Sequence, residues 1–163
     1  MVAGIEESRA RTLRLLDGTR RETRLLLSGL DPNRVVHTDE RAWRVRDIVG
    51  HLGAWNWEAA RSVKAYSEGA EYCCIPTEAE YDNYNGPAAE ARRAWSMEQV
   101  WTEYETAHDE LRRRIESLPD EKWAGEMLYP WNERGTVARL IEIMMIHEKR
   151  DHCSLLGGAS DRG

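Results

Sequence analysis

The chain has 163 residues, 41% of them hydrophobic and 32% charged, which is typical of one globular domain. No apolar run is long enough to span a bilayer and no secretory signal opens the chain, so we expect a cytoplasmic protein with no membrane partner. The formal net charge is -6 and the basic residues are scattered, which argues against nucleic-acid binding.

Amphipathic periodicity predicts a first helix over residues 5–29 and a second over residues 45–68. His51 lies beside the apolar stripe of the second helix, between Gly50 and Gly53. Two glycines in a helix cost stability, so their presence suggests that a neighbouring group approaches closely here. The stripe itself consists of Ile48, Leu52, Trp55, Ala59, Val63 and Tyr66.

The middle of the chain is predicted to begin with a long loop over residues 69–87, which shows no sustained period. Loops of this length often form lids or binding loops, and Tyr81 and Tyr84 suit a pocket rim. A short helical piece is predicted over residues 88–95.

A third long helix is predicted from a capping box at Ser96 and Gln99 to residue 118. His108 is expected to be half exposed at its edge. The following connection, residues 121–135, is rich in Trp, Tyr, Pro and Gly, and no strand is predicted in it. The core stripe of this helix is Val100, Tyr104, Ala107, Leu111 and Ile115.

The last predicted helix, residues 136–156, places polar groups on its own core stripe. Glu148 and His152 continue that stripe, and at about 100° per residue they lie only about 40° apart around the helix axis. His147 and His152 would be separated by about 140°, so we expect Glu148 and His152 to converge. A buried Glu is rare unless it is paired or bound to a metal. The apolar members of the stripe are Val137, Leu140, Ile141, Met144, Met145, Leu155 and Leu156.

Four long amphipathic helices joined by connections of unequal length predict an all-α four-helix bundle. We expect one domain over residues 1–163, with a disordered tail over residues 157–163. Cys73, Cys74 and Cys153 fit no disulfide framework and indicate reduced thiols.

Functional sites in a bundle are built from inward-facing side chains of different helices. His51 with Glu148 and His152 would supply two imidazoles and one carboxylate. Catalytic zinc uses such a set of three protein ligands and keeps a fourth position open. Nickel, iron or manganese would also accept these ligands. His147 is the alternative ligand.

The stretches WRVRDIVGHLGAW and IHEKRDHCSLL, with the aromatic-rich middle, resemble the DinB-like (YfiT-like) four-helix bundles over residues 6–156. Members of that family typically carry a metal triad, with one His early in the second helix and an H-x-x-x-H pair in the last. His51 and His152 fit this pattern, and Glu148 replaces the first His of the pair. The His, Glu, His version resembles the zinc-containing, mycothiol-dependent maleylpyruvate isomerase branch, which implies a low-molecular-weight thiol cofactor.

The resemblance implies that the protein is a metal-dependent enzyme, namely a thiol transferase, isomerase or hydrolase that acts on a small electrophile. Its pocket wall would include Trp55, Tyr81, Tyr84 and Trp131. Residues 81–85 and the Pro130-Trp131 pair also resemble the ClbS/DfsB branch, whose members include self-protection proteins that need no metal. A third hypothesis is that Glu148 and His152 are partly solvated and have no specific role. The expected partner is a small-molecule substrate, and the sequence leaves both a monomer and a homodimer open.

Overall fold

The computed structural model describes residues 2–36 and 42–153, without the side chains of residues 2 and 3. Among these residues, four helices form a bundle, the last of them continued by a π-helical segment, and two further helices lie in the connections. The predicted all-α four-helix bundle is therefore confirmed. The helices in chain order are α1 (Val2–Ser28), α2 (Val45–Ser67), α3 (Tyr81–Ala91), α4 (Met97–Glu116), α5 (Asp120–Trp123) and α6 (Val137–His147). No helix in the described part of the chain is both long enough and apolar enough to cross a membrane.

Within the bundle, α2 packs along α4, and α1 packs against α6 and α4. The two helices α2 and α4 come close together at Gly53, where an added Cβ would lie 3.2 Å from the Cα of Tyr104. At Gly50 an added Cβ would lie 3.1 Å from the side-chain Cδ of Arg92. The close approach predicted from the two glycines is confirmed.

The predicted apolar stripes of α2, α4 and α6 face the core. His108 is an exception to the predictions, because its side chain is only 1% exposed and not half exposed. Its ring lies between α4 and α1, with Nε2 3.3 Å from the carbonyl oxygen of Leu16. The buried stripe residues are Ile48, Leu52, Trp55, Ala59 and Val63 on α2, the five predicted residues of α4, and Val137, Leu140, Ile141, Met144 and Met145 on α6.

The connection between α2 and α4 contains α3, and the prediction of a short helix at residues 88–95 was wrong in its position. A 3₁₀ turn over Glu78–Glu80 leads into α3, and Pro87 lies inside the helix. None of its residues is buried. Because α3 has no buried apolar stripe and includes a helix breaker, helical periodicity could not reveal it.

The connection before α6 contains two short strands that were not predicted, β1 (Met127–Leu128) and β2 (Arg134–Gly135), which pair antiparallel. Asn132 between them has a φ of 67°, in the left-handed region where Asn is favoured among non-glycine residues. The carbonyl oxygen of Pro130 accepts bonds of 2.9 Å from the amides of Cys74 and Ile75. These bonds tie the hairpin to the connection between α2 and α4.

The last helix also differs from its prediction. The α-helix ends at His147, and a π-helical segment follows over Glu148–Cys153. Leu155, Leu156 and the tail over residues 157–163 lie outside the described residues.

Candidate metal centre and its cavity

Three histidines converge where the first turns of α2 meet the end of α6. The Nδ1 or Nε2 atoms that His51, His147 and His152 offer all lie within 4.8 Å of one another. His51 and His152 are buried, with 7% of each side chain exposed, and His147 lies at the edge. The ring of Trp43 packs on His51, with ring centroids 4.9 Å apart.

Within the cluster, Nε2 of His147 and Nε2 of His152 lie 2.9 Å apart. Two nitrogen lone pairs at this distance would repel each other, so the pair shares either a proton or a cation. Zinc binds imidazole nitrogen at about 2.0–2.1 Å, which puts the ligands of one ion within about 4 Å of each other. The three nitrogens therefore fit one divalent ion after small side-chain adjustments.

The π-helical segment explains why His147 and His152 meet. An α-helix repeats every 3.6 residues, which turns a residue and its fifth neighbour away from each other. A π-helix bonds residue i to residue i+5, so residues five apart lie above one another. The expectation that His147 and His152 lie too far apart is therefore wrong, because it assumed an unbroken α-helix.

Asp151 orients the imidazole of His147. The His147 Nδ1 lies 2.7 Å from Asp151 Oδ2, and the carboxylate can only accept, so Nδ1 carries the proton. In the neutral ring Nε2 then presents its lone pair to the cluster. Metal-binding histidines are commonly held by a carboxylate in this way.

Glu148 lies beside the histidine cluster but is held by other groups. Its Oε1 accepts bonds from the Thr23 hydroxyl at 2.5 Å and the Tyr104 hydroxyl at 2.7 Å. Burial raises the pKa of the Glu148 carboxyl above its usual value, and these two bonds oppose the rise. We predicted that the Glu148 carboxylate lies together with the imidazoles of His51 and His152. The group of possible ligand atoms instead contains His147 with these two histidines.

A cavity of about 490 Å³ adjoins the cluster, a volume within the usual range for a small-molecule site. All three histidines and Glu148 line it, as do three of the four predicted wall residues, Trp55, Tyr81 and Trp131. Tyr84, the fourth, is outside the lining. Its ring packs on Trp55 at 5.0 Å, and its hydroxyl donates to Glu58 at 2.8 Å. The other lining residues are Trp43, Leu52, Asn56, Asn85, Glu133, Ile143, Met144 and Asp151.

Several residues of the site were not predicted from the sequence. Asp151 could have been found, because a carboxylate four residues after His147 is its neighbour on a helix. Trp43 and Asn56 lie near His51 in the chain, but no period marks them as cavity residues. Thr23 comes from α1, and nothing in the sequence links it to Glu148, 125 residues away.

The three cysteines are free, as the sequence predicted, and none of them lines the cavity. Cys153 is half buried, with Sγ 3.6 Å from the Thr23 hydroxyl oxygen. Burial raises the pKa of its thiol to about 11. A thiol nucleophile in the cavity would therefore have to come from solution.

The fold and the histidine cluster define a helical bundle with a candidate metal centre at one end. The profile of the DinB superfamily matches residues 15–154, and the chain belongs to this superfamily. No curated protein matches the chain significantly.

Two solved structures share the fold. An uncharacterised protein from Escherichia coli UTI89 superposes with a TM-score of 0.74 at 17% identity, over 92% of this chain and 91% of that one. A mutant of mycothiol-dependent maleylpyruvate isomerase superposes with a TM-score of 0.72 at 12% identity. The second match covers 91% of this chain but 60% of the isomerase. At such identities the likeness shows the fold alone.

Proposed function

We propose that the chain is a metal-dependent enzyme in which His51, His147 and His152 bind a divalent cation, with zinc the first choice. The observation that supports this is the convergence of three imidazole nitrogens within 4.8 Å at the wall of a cavity. Three protein ligands leave a position open for water or substrate, which is the arrangement of catalytic rather than structural zinc.

The substrate we propose is a small electrophile, and the reaction is thiol transfer, isomerisation or hydrolysis. A bound divalent ion would lower the pKa of a water or thiol towards neutrality. Asp151 holds the tautomer of His147, and the aromatic wall binds the apolar part of the substrate and excludes water. A low-molecular-weight thiol as co-substrate is suggested by the name of the mycothiol-dependent isomerase that shares the fold.

Two alternative sets of metal ligands can be distinguished by experiment. The set His51, Glu148 and His152 follows from helical periodicity and from the resemblance to the His, Glu, His branch, whereas the convergence of the imidazole nitrogens supports His147 in place of Glu148. The carboxylate oxygen of Glu148 already accepts two hydrogen bonds, and His147 Nε2 lies 2.9 Å from His152 Nε2.

Metal content of untagged protein, measured by mass spectrometry, is the direct experiment. We expect about one divalent ion per chain in the wild type, and its loss in both His152→Ala and His147→Ala. Glu148→Gln should retain the ion, as should Glu142→Gln, a control at an exposed carboxylate paired with Arg139. Loss in Glu148→Gln with retention in His147→Ala would support the other ligand set, and a metal-free wild type would refute the proposal.

A second candidate is a metal-free self-protection protein that sequesters or hydrolyses a reactive natural product. The aromatic lining of the cavity favours it, because Trp and Tyr faces bind such molecules without a metal. The two candidates differ at His51, which this second function does not need. Protection of cells that survives His51→Ala would favour sequestration, and its loss would favour the metal enzyme.

A further inference from the structure

The charge of the cavity lining restricts the ligands that it can accept. Among the described residues that line the cavity, none is Lys or Arg, and three are acidic: Glu133, Glu148 and Asp151. Protein donors already bond Glu148 and Asp151. Glu133 is exposed and lies where the cavity opens to solvent. An anionic ligand would find no cationic side chain in this lining and would face the Glu133 carboxylate.

The two indoles of the aromatic wall next to Glu133 offer their ring faces and not free N–H donors. Trp55 contacts both Tyr81 and Trp131, with ring centroids 6.0 Å and 6.1 Å apart. The indole N–H of Trp55 donates to Asn85 Oδ1 at 3.1 Å, and that of Trp131 donates to Glu133 Oε2 at 2.9 Å. Both donors are therefore engaged within the protein. The ring faces that remain attract cations and apolar groups.

The cavity has two chemically different ends. Trp55 lies between them, with its ring centroid 6.4 Å from that of His51 and 6.1 Å from that of Trp131. The first end holds the histidine cluster, and the second holds the Trp131–Glu133 pair. Asn56 is 2% exposed and lines the cavity, and no described residue is a hydrogen-bond partner of its Nδ2. It can donate to a carbonyl or hydroxyl oxygen of a ligand that spans the two ends.

We propose that the aromatic end of the cavity, away from the histidine cluster, selects a cationic alkylammonium group on an apolar body and discriminates against anionic groups. The cation lies against Trp55, Tyr81 and Trp131, with Glu133 as its counter-charge, and the apolar body extends towards the histidines. This inference rests on the proposed function only in taking the cavity as the substrate site.

Three probes of similar size and different charge test the inference: trimethyl(2-phenylethyl)ammonium, 2-phenylethanol and 3-phenylpropanoate. Their dissociation constants are measured by titration calorimetry on chelator-treated protein. The permanent cation cannot coordinate a metal, so its binding reports on the wall alone. We expect it to bind about tenfold more tightly than the alcohol, as a partly desolvated cation–π contact predicts, and the carboxylate to bind weakest.

Glu133→Gln should weaken binding of the cation several-fold and leave that of the alcohol unchanged. Glu126→Gln is the matched control, because Glu126 is an exposed carboxylate beside the same hairpin and outside the lining. Equal affinities for the three probes, or tightest binding of the carboxylate, would overturn the inference. Neither result depends on whether the purified protein holds a metal, so the two proposals fail independently.

Discussion

His108 is a buried histidine whose hydrogen bonds reveal where its proton lies. Its Nδ1 lies 3.0 Å from Arg20 Nη1, and its Nε2 lies 3.3 Å from the carbonyl oxygen of Leu16. Because arginine can only donate, Nδ1 accepts, and Nε2 carries the proton that Leu16 accepts. Burial lowers the pKa of the imidazole below its usual value, although the bond to Leu16 opposes this. Protonation of Nδ1 would also remove the bond from Arg20.

This histidine should make the fold less stable in acid. Below about pH 6.5 the unfolded chain protonates His108 while the folded chain keeps it neutral, so the unfolded state binds more protons. The free energy of unfolding should therefore decrease as the pH is lowered through this window, by at most about 1.4 kcal/mol per pH unit for one proton. Urea unfolding of metal-free wild type and His108→Gln, between about pH 5 and about pH 8, measures the difference. Parallel pH profiles for the two proteins would contradict the prediction.

At the scale of elements, the contact between α2 and α4 depends on a glycine. The added Cβ at Gly53 would meet the Tyr104 backbone at 3.2 Å to Cα and 3.3 Å to N. Backbone in a helix cannot move aside as a side chain can, so α2 and α4 would have to separate. The cluster end of the bundle would be disturbed, because His51 lies two residues earlier on α2.

Gly53→Ala should therefore be less stable than Gly50→Ala, by about 1–3 kcal/mol, the usual cost of overpacking. Both substitutions gain the same helix propensity, about 1 kcal/mol, which cancels in the comparison. The nearest atoms to the new Cβ of Gly50→Ala all belong to side chains, those of Arg92 at 3.1 Å and Val100 at 3.8 Å. Denaturant unfolding of the two variants measures the difference. Equal stability would show that α2 and α4 can shift without cost.

The bundle helices could be predicted from the sequence because each buries one apolar stripe. Val100 to Ile115 on α4 and Val137 to Met145 on α6 follow the period of 3.6 residues and are buried as expected. The helix α3 and the hairpin could not be predicted, because they have no internal hydrophobic period. Contacts between residues that are distant in sequence hold them in place. The hydroxyl of Tyr84 bonds Glu58, and the hairpin carbonyl of Pro130 bonds Cys74 and Ile75.

The candidate site was predictable in part. His51 was named from its position beside the apolar stripe of the second helix and His152 from its position on the stripe of the last helix, and both are in the cluster. Glu148 was preferred to His147 as the residue that converges with His152. This preference missed the geometry, because helical-wheel angles assume α-helical hydrogen bonding throughout. Whether either residue binds a metal stays a prediction.

For the whole molecule, metal binding should be linked to folding. The three histidines come from α2, α6 and the π-helical segment, so only the folded chain brings them together. Zinc at about one hundred times its dissociation constant should stabilise the fold by about 2.7 kcal/mol. Thermal unfolding with and without zinc should show a higher Tm for the wild type and no shift for His152→Ala. An equal shift in that variant would place the zinc elsewhere.

The π-helical segment separates distance along the chain from distance in space. His147 and His152 have four residues between them, one more than an H-x-x-x-H pair, yet one turn of backbone joins the two members in either case. A helix can thus accept an extra residue between two ligands without moving their imidazoles apart. In bundles of this kind, the search for paired ligands should count backbone turns and not residues.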